Sequence, residues 1–174
     1  MLILGIDPGT ATTGYGVVRL NGNGNEVITW GLIETDKSLL KERRLHFIYK
    51  ETLRLIKLHK PDVFVIEKVF FSSNVKTAIA VGQAQGVLLM AAGKSKVRVE
   101  EYAPGTIKKL ITGSGRANKK EVQLHIMKIL GSRVTSDKRI KKTHFDNCAD
   151  ALAIALTHAF TLTEKSININ GTVK

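Results

Sequence analysis

Cysteine is almost missing from this chain, with Cys148 standing alone. A single thiol closes no internal disulfide, and zinc clusters built on several cysteines are excluded. That shortage fits a reducing, cytoplasmic setting. Repeats and low-complexity segments are also lacking. The N-terminus has no basic-then-apolar layout of a signal peptide, and no apolar run is expected to reach membrane-spanning length. Acid is the other scarce commodity: 15 Asp+Glu stand against 27 Lys+Arg, a net charge of +12. Such an excess predicts a positive surface suited to polyanions, although a merely soluble basic protein carries it too. What remains is ordinary for a soluble globular protein, with 43% hydrophobic and 24% charged residues. At 174 residues the chain suits one domain with a real core and a short tail.

The chain opens on a short apolar run, residues 2–6, broken only by Gly5. It reads as a buried central strand. Asp7 follows at its lip, and Pro8-Gly9 turns the chain into a second strand over 14–20. Asn21 to Asn25 is a further turn, and a third strand over 27–34 completes an antiparallel meander. Residues 41–59 have apolar positions at helical spacing among many charges, the mark of an amphipathic surface helix. A second continuous apolar run, 63–66, ends in Glu67; coming after a helix, it is expected parallel to the first strand. Residues 74–92 form an apolar helix whose Gly82 and Gly86 share one face and permit close packing, on the sheet or a second helix. A short strand over 97–102 and helices over 106–111, 119–130 and 143 to about 160 follow. The order predicts an α/β protein with a mixed sheet covered on both faces.

Asp7 and Glu67 each end a buried strand. If those strands are parallel neighbours, both carboxylates meet at one sheet edge, where open α/β sheets place their sites. They repel unless a proton or cation is shared. Asp150 lies about two turns into the last helix among Ala149, Ala151, Leu152 and Ala153, where an aspartate is either paired or a ligand. Asn147 precedes it by three residues and shares its face. Asp146 forms a capping-box spacing with Thr143, and His144 near the helix start is held in reserve. Oxygen ligands without paired His or Cys favour a hard cation such as Mg²⁺ or Mn²⁺. A carboxylate cluster on a basic domain suggests metal-assisted attack on a phosphodiester. Lys108, Arg116, Lys119 and Lys120 flank the Gly113-Ser114-Gly115 turn, an arrangement suited to phosphate contact or to a solvated basic face. Of Phe70 and Phe71, one reads as core and the other as a base-stacking residue.

Gly5-Ile6-Asp7-Pro8-Gly9-Thr10 with Thr13-Gly14-Tyr15-Gly16 resembles the opening of the RuvC family of Holliday-junction resolvases. Ile66-Glu67-Lys68-Val69-Phe70, Gly82-Gln83-Ala84-Gln85-Gly86 and Glu101-Tyr102-Ala103-Pro104 are similar in order and spacing. So are Gly113 to Lys120 and the closing Ala149-Asp150-Ala151-Leu152-Ala153. The resemblance covers roughly residues 1–160 and implies an RNase H-like fold and a nuclease domain over 1–163, while the polar residues 164–174 read as a flexible tail. It implies a homodimer that binds four-way DNA junctions and nicks paired strands with Mg²⁺, two ions per site, in recombination and repair. It also implies RuvA and RuvB as branch-migration partners. Asp7, Glu67 and Asp150 match three of four metal-binding positions, Lys108 and Lys119 match DNA-contacting ones, and Phe70 takes the stacking role. The fourth metal position is normally Asp, or His, and here is Asn147. An amide oxygen can ligate a hard cation but brings no negative charge. Asn147 leaves three readings: an inactivating replacement, a variant compensated by Asp146 or His144, or a weak enzyme. A junction-binding protein that no longer cuts is therefore one alternative. A YqgF-like nuclease shares the opening but is smaller and lacks the closing motif, and the actin and sugar-kinase fold needs two such domains.

Overall fold

A computed structural model of the chain describes residues 1–21, 24–69, 75–130 and 142–170, of which 130, 142–147 and 164–170 are described as backbone only. The expected meander is present: β1 (Leu2–Asp7), β2 (Thr12–Asn21) and β3 (Gly24–Glu34). Helix α1 (Lys41–His59) leads to β4 (Val63–Glu67), and α2 (Val75–Lys94) leads to β5 (Arg98–Tyr102). Helices α3 (Pro104–Thr112), α4 (Lys119–Leu130) and α5 (Lys142–Asn170) close the chain. The strands form one mixed sheet in the order β3-β2-β1-β4-β5. β1 is central, antiparallel to β2 and parallel to β4, which in turn runs parallel to β5.

Strand alternation divides the core in two. Ile3, Val18, Val63 and Val65 point to one face and pack with α3, α4 and α5. Leu4, Ile6, Val17, Phe64 and Ile66 point to the other and pack with α1 and α2. In α1 the buried positions are Ile48, Thr52, Leu55 and Ile56, a stripe at helical spacing. Leu58, near the end of the helix, is 62% exposed.

Three expectations need amending. Helix α2 is long and apolar enough to cross a membrane by length and composition, although Ala84, Leu88, Ala91 and Ala92 lie in the core beside α1. Among the described residues its glycines meet neither the sheet nor another helix of the chain: a side-chain carbon at Gly82 or Gly86 would meet nothing within 4 Å. Finally, α5 continues as helix to Asn170, past the end expected at about residue 160. No glycine or proline interrupts it before Gly171.

Gly5 does have the close approach that glycine permits. A Cβ there would stand 2.5 Å from the Ala151 carbonyl oxygen and 2.6 Å from the Ala155 nitrogen, so β1 and α5 touch backbone to backbone. Gly5→Ala should therefore lower stability by roughly 1–3 kcal/mol. Gly105→Ala, in an open position of α3, should be neutral or slightly stabilising. Thermal unfolding of the two variants checks both.

Candidate active site

Asp7 and Glu67 continue the odd-numbered positions of β1 and β4, the positions that face α5. The parallel register pairs Ile6 with Ile66 and makes the two carboxylates neighbours at the C-terminal ends of the strands. Asp150 arrives from the other layer. It directly precedes Ala151, whose carbonyl lies against Gly5, so the backbone contact brings its carboxylate to the same place. Asp7, Glu67 and Asp150 line one cleft of about 200 Å³ together with Lys108 and Lys119. Pro104, Ile107 and Val122 supply its apolar wall.

Several hydrogen bonds hold the backbone around this cleft. In the turn after Asp7, the Thr13 hydroxyl donates to the Gly9 carbonyl at 2.7 Å. The Thr35 hydroxyl and an Arg44 guanidinium nitrogen both donate to the Thr10 carbonyl, at 2.6 and 2.8 Å. Gln85 on α2 donates to the Glu101 carboxylate at 3.0 Å and to the Glu67 backbone carbonyl at 3.4 Å. Asn118 and Glu121 form a reciprocal capping box at the start of α4, with bonds of 2.7 and 3.1 Å. That box sets Lys119 at the first helical position, and its Nζ lies 2.7 Å from Asp150 Oδ2.

Burial pushes the Asp7 carboxyl up from its ordinary 3.8 to about 7, with Asp150 and Glu67 adding repulsion and Lys119 partly offsetting it. Glu67 is raised by burial and by Asp150, while Lys108 opposes the shift. Cys148, buried behind Asp150, is pushed up to about 12, so it is an inert thiol. Two carboxyls held protonated by burial and by the charge of a third mark a site short of positive charge. Its donors are oxygens, which fits a hard divalent cation. Among the described residues no three acidic, His or Cys groups are already gathered around one point. Lys119 holds an Asp150 oxygen instead, and its ammonium stands in for a cation.

The other expected site residues lie further out or beyond description. Arg116 and Lys120 are exposed and do not line the cleft. Asn147 is on the backbone of α5 one turn before Asp150; its side chain, like those of Asp146 and His144, lies outside the described residues. Phe70 does too. Arg44, Gln85 and the Asn118–Glu121 pair were not foreseen. Only the last had a local signal, Asn followed three residues later by Glu.

Residues 3–158 match the family described as crossover junction endodeoxyribonuclease RuvC. The chain belongs to that family. The RuvC protein of Caldicellulosiruptor saccharolyticus is 44% identical over 159 residues, covering 91% of this chain and 92% of that protein. The structure of Thermus thermophilus RuvC superposes with a TM-score of 0.80 at 33% identity, covering 95% of this chain and 97% of the other. T. thermophilus RuvC in complex with Holliday junction substrate gives 0.78 at 30% identity, covering 94% and 96%. The fold is accordingly RNase H-like, and the family's members are metal-dependent nucleases.

The Asp7 shift has a definite sign for stability. Between about pH 4 and 7 the native state keeps a proton that the unfolded chain has released. Stability of the metal-free protein therefore falls as pH rises through that window. Asp7→Asn should remove this loss and melt higher than the parent in EDTA at pH 8, by roughly 2–4 kcal/mol. Adding Mg²⁺ should raise the parent's melting temperature more at pH 8 than at pH 6 and leave the variant little changed. Calorimetry at the two pH values measures both effects.

Proposed function

We propose that this protein is a Holliday-junction resolvase, which nicks symmetry-related strands of a four-way DNA junction in a Mg²⁺-dependent reaction serving recombination and repair. The observation that carries the reading is the convergence of Asp7, Glu67 and Asp150 with Lys108 and Lys119 in one cleft of a RuvC-family chain. The nuclease domain is assigned to residues 1–163. Asp7, Glu67, Asn147 and Asp150 would hold two Mg²⁺ ions, with Mn²⁺ as a substitute. When bound, such cations supply a water of lowered pKa and offset charge on the phosphodiester oxygens.

The side chains have distinct tasks. Asp7 must give up its proton to act as a ligand, so the protein is most receptive to the ion above about pH 7. Lys119 neutralises Asp150 in the free protein. With a cation held at Asp150, the Lys119 ammonium would be available to meet a phosphate of the DNA. Lys108, near Glu67, contacts the neighbouring phosphate, and Arg116 and Lys120 track the backbone further away. Phe70, three residues after Glu67, stacks on a base at the crossover.

Cleavage and binding measured on one four-way junction test the reading. Asp7→Asn should still bind the junction and lose more than about a hundredfold in nicking rate with Mg²⁺. Asn147→Asp should raise the rate. Junction binding without cleavage in Mg²⁺ or Mn²⁺ would favour the second reading, a binding protein impaired at Asn147, especially if Asn147→Asp then restored cutting.

A homodimer gives two nicks from two such sites, and α2 has a face suited to it. Val75, Ile79 and Met90 are 66%, 54% and 62% exposed. They share one stripe with Gly82, Gly86 and Gly93, all open to within 4 Å. Small residues between apolar ones let a second helix approach closely, and by family resemblance RuvA and RuvB are the further partners. Ile79→Glu with Met90→Glu should shift the protein from dimer to monomer in sedimentation, with the monomer's far-UV spectrum unchanged.

A further inference from the structure

At the opposite end of the strands, where β1 and β4 begin and α1 and α2 end, lies a second, wider cleft of about 610 Å³. Lys57, Lys60, Lys94 and Lys96 are exposed along it. Between them lie the half-buried Leu53 and Val97, over Ile56 and Pro61, which are buried beneath the cleft. The acid lining it is Asp62, and its Oδ2 already accepts the Leu2 N–H at 2.6 Å. None of the four lysines forms an ion pair among the described residues.

Two of these lysines stand where helices ordinarily end on glycine. Lys60 closes α1 at φ 49°, its N–H donating to the Ile56 carbonyl at 2.8 Å. Lys96 follows α2 at φ 56°, its N–H reaching the Gly93 carbonyl at 3.0 Å while the Val97 N–H reaches Ala92 at 3.1 Å. Among the described residues they are the non-glycine residues with positive φ. The left-handed conformation costs a side chain about 1 kcal/mol. A cation at a helix C-terminus returns roughly 0.3–1 kcal/mol. The two effects cancel, so folding stability does not select lysine over glycine at either position, yet both lysines stand on the same cleft.

We propose that this cleft docks an acidic, leucine-bearing segment of a partner protein. Carboxylates of the segment meet the four ammonium groups, and its apolar side chains cover the exposed parts of Leu53 and Val97. A phosphate backbone would match the lysines but leave that apolar floor unused. Position argues the same way. The five residues of β4 separate this cleft from the carboxylate cleft by roughly 17 Å, so DNA held at one end leaves the other free. Partner and junction can therefore be bound together.

The test uses the full chain saturated with an uncut four-way junction in EDTA, so that the DNA-binding surface is already covered. A fluorescein-labelled peptide of Glu-Glu-Leu repeats is titrated in and followed by anisotropy. Lys60→Gly combined with Lys96→Gly removes two cations and relaxes both helix ends, so the melting temperature should hold or rise. The double variant should bind the peptide about tenfold more weakly, with junction affinity and cleavage unchanged. A peptide with Ser in place of Leu should also bind about tenfold more weakly. The proposal is overturned if the double variant binds the peptide as the parent does, or if junction displaces it. Equal binding of the Ser peptide also overturns it, in favour of a plain polyanion surface. Loss of cleavage in the parent would count against the resolvase reading alone.

Discussion

Backbone contact between β1 and α5 at Gly5 is the constraint on which the carboxylate cleft depends. A hydrogen in place of a side chain lets the Ala151 carbonyl and the Ala155 nitrogen sit where a Cβ would need to be. The last helix therefore lies directly on the central strand, and Asp150 reaches the end of β1. The cost is electrostatic. Asp7, Glu67 and Asp150 share one partly buried cleft, where burial and the Asp150 charge raise the proton affinity of Asp7 and Glu67. Lys119 relieves part of that crowding from α4, where the Asn118–Glu121 capping box holds it. A site built this way is unstable without added positive charge, and that instability is what makes it receptive to a cation.

Rigidity around the cleft comes from elements remote in sequence. Arg44 on α1 and Thr35 after β3 both hold the Thr10 carbonyl, which pins the turn that follows Asp7. Gln85 on α2 holds the end of β4 beside Glu67. Helices from one face of the sheet thus brace a site that opens on the other. The two ends of the sheet also differ in chemistry, with carboxylates at the C-terminal ends of the parallel strands and lysines at their beginnings.

Much of this was legible in the residues themselves. Continuous apolar runs over Leu2–Ile6 and Val63–Ile66, each ending in an acid, marked the two central strands because both their faces are buried. The helical stripe of α1 and the turn at Pro8-Gly9 followed from local chemistry as well. Other readings failed where local chemistry has no say. Gly82 and Gly86 permit close packing on the sheet or a second helix, and among the described residues nothing within the chain takes that place. The last helix ran longer than expected because no local stop signal precedes Gly171. The approach of Lys119 to Asp150 had no local signal either, because it comes from how α4 packs on α5.

By itself, the sequence determined the strands, the helices and the acids that end them, since periodicity, turn residues and burial act within a few positions of the chain. Tertiary structure alone decided which acids meet, which lysine faces them, and that Lys60 and Lys96 adopt left-handed conformations on one cleft. Those outcomes depend on strand register, on the layer each helix covers and on how each helix end is closed. No one segment carries that information, because the residues that meet at each cleft come from segments dozens of positions apart.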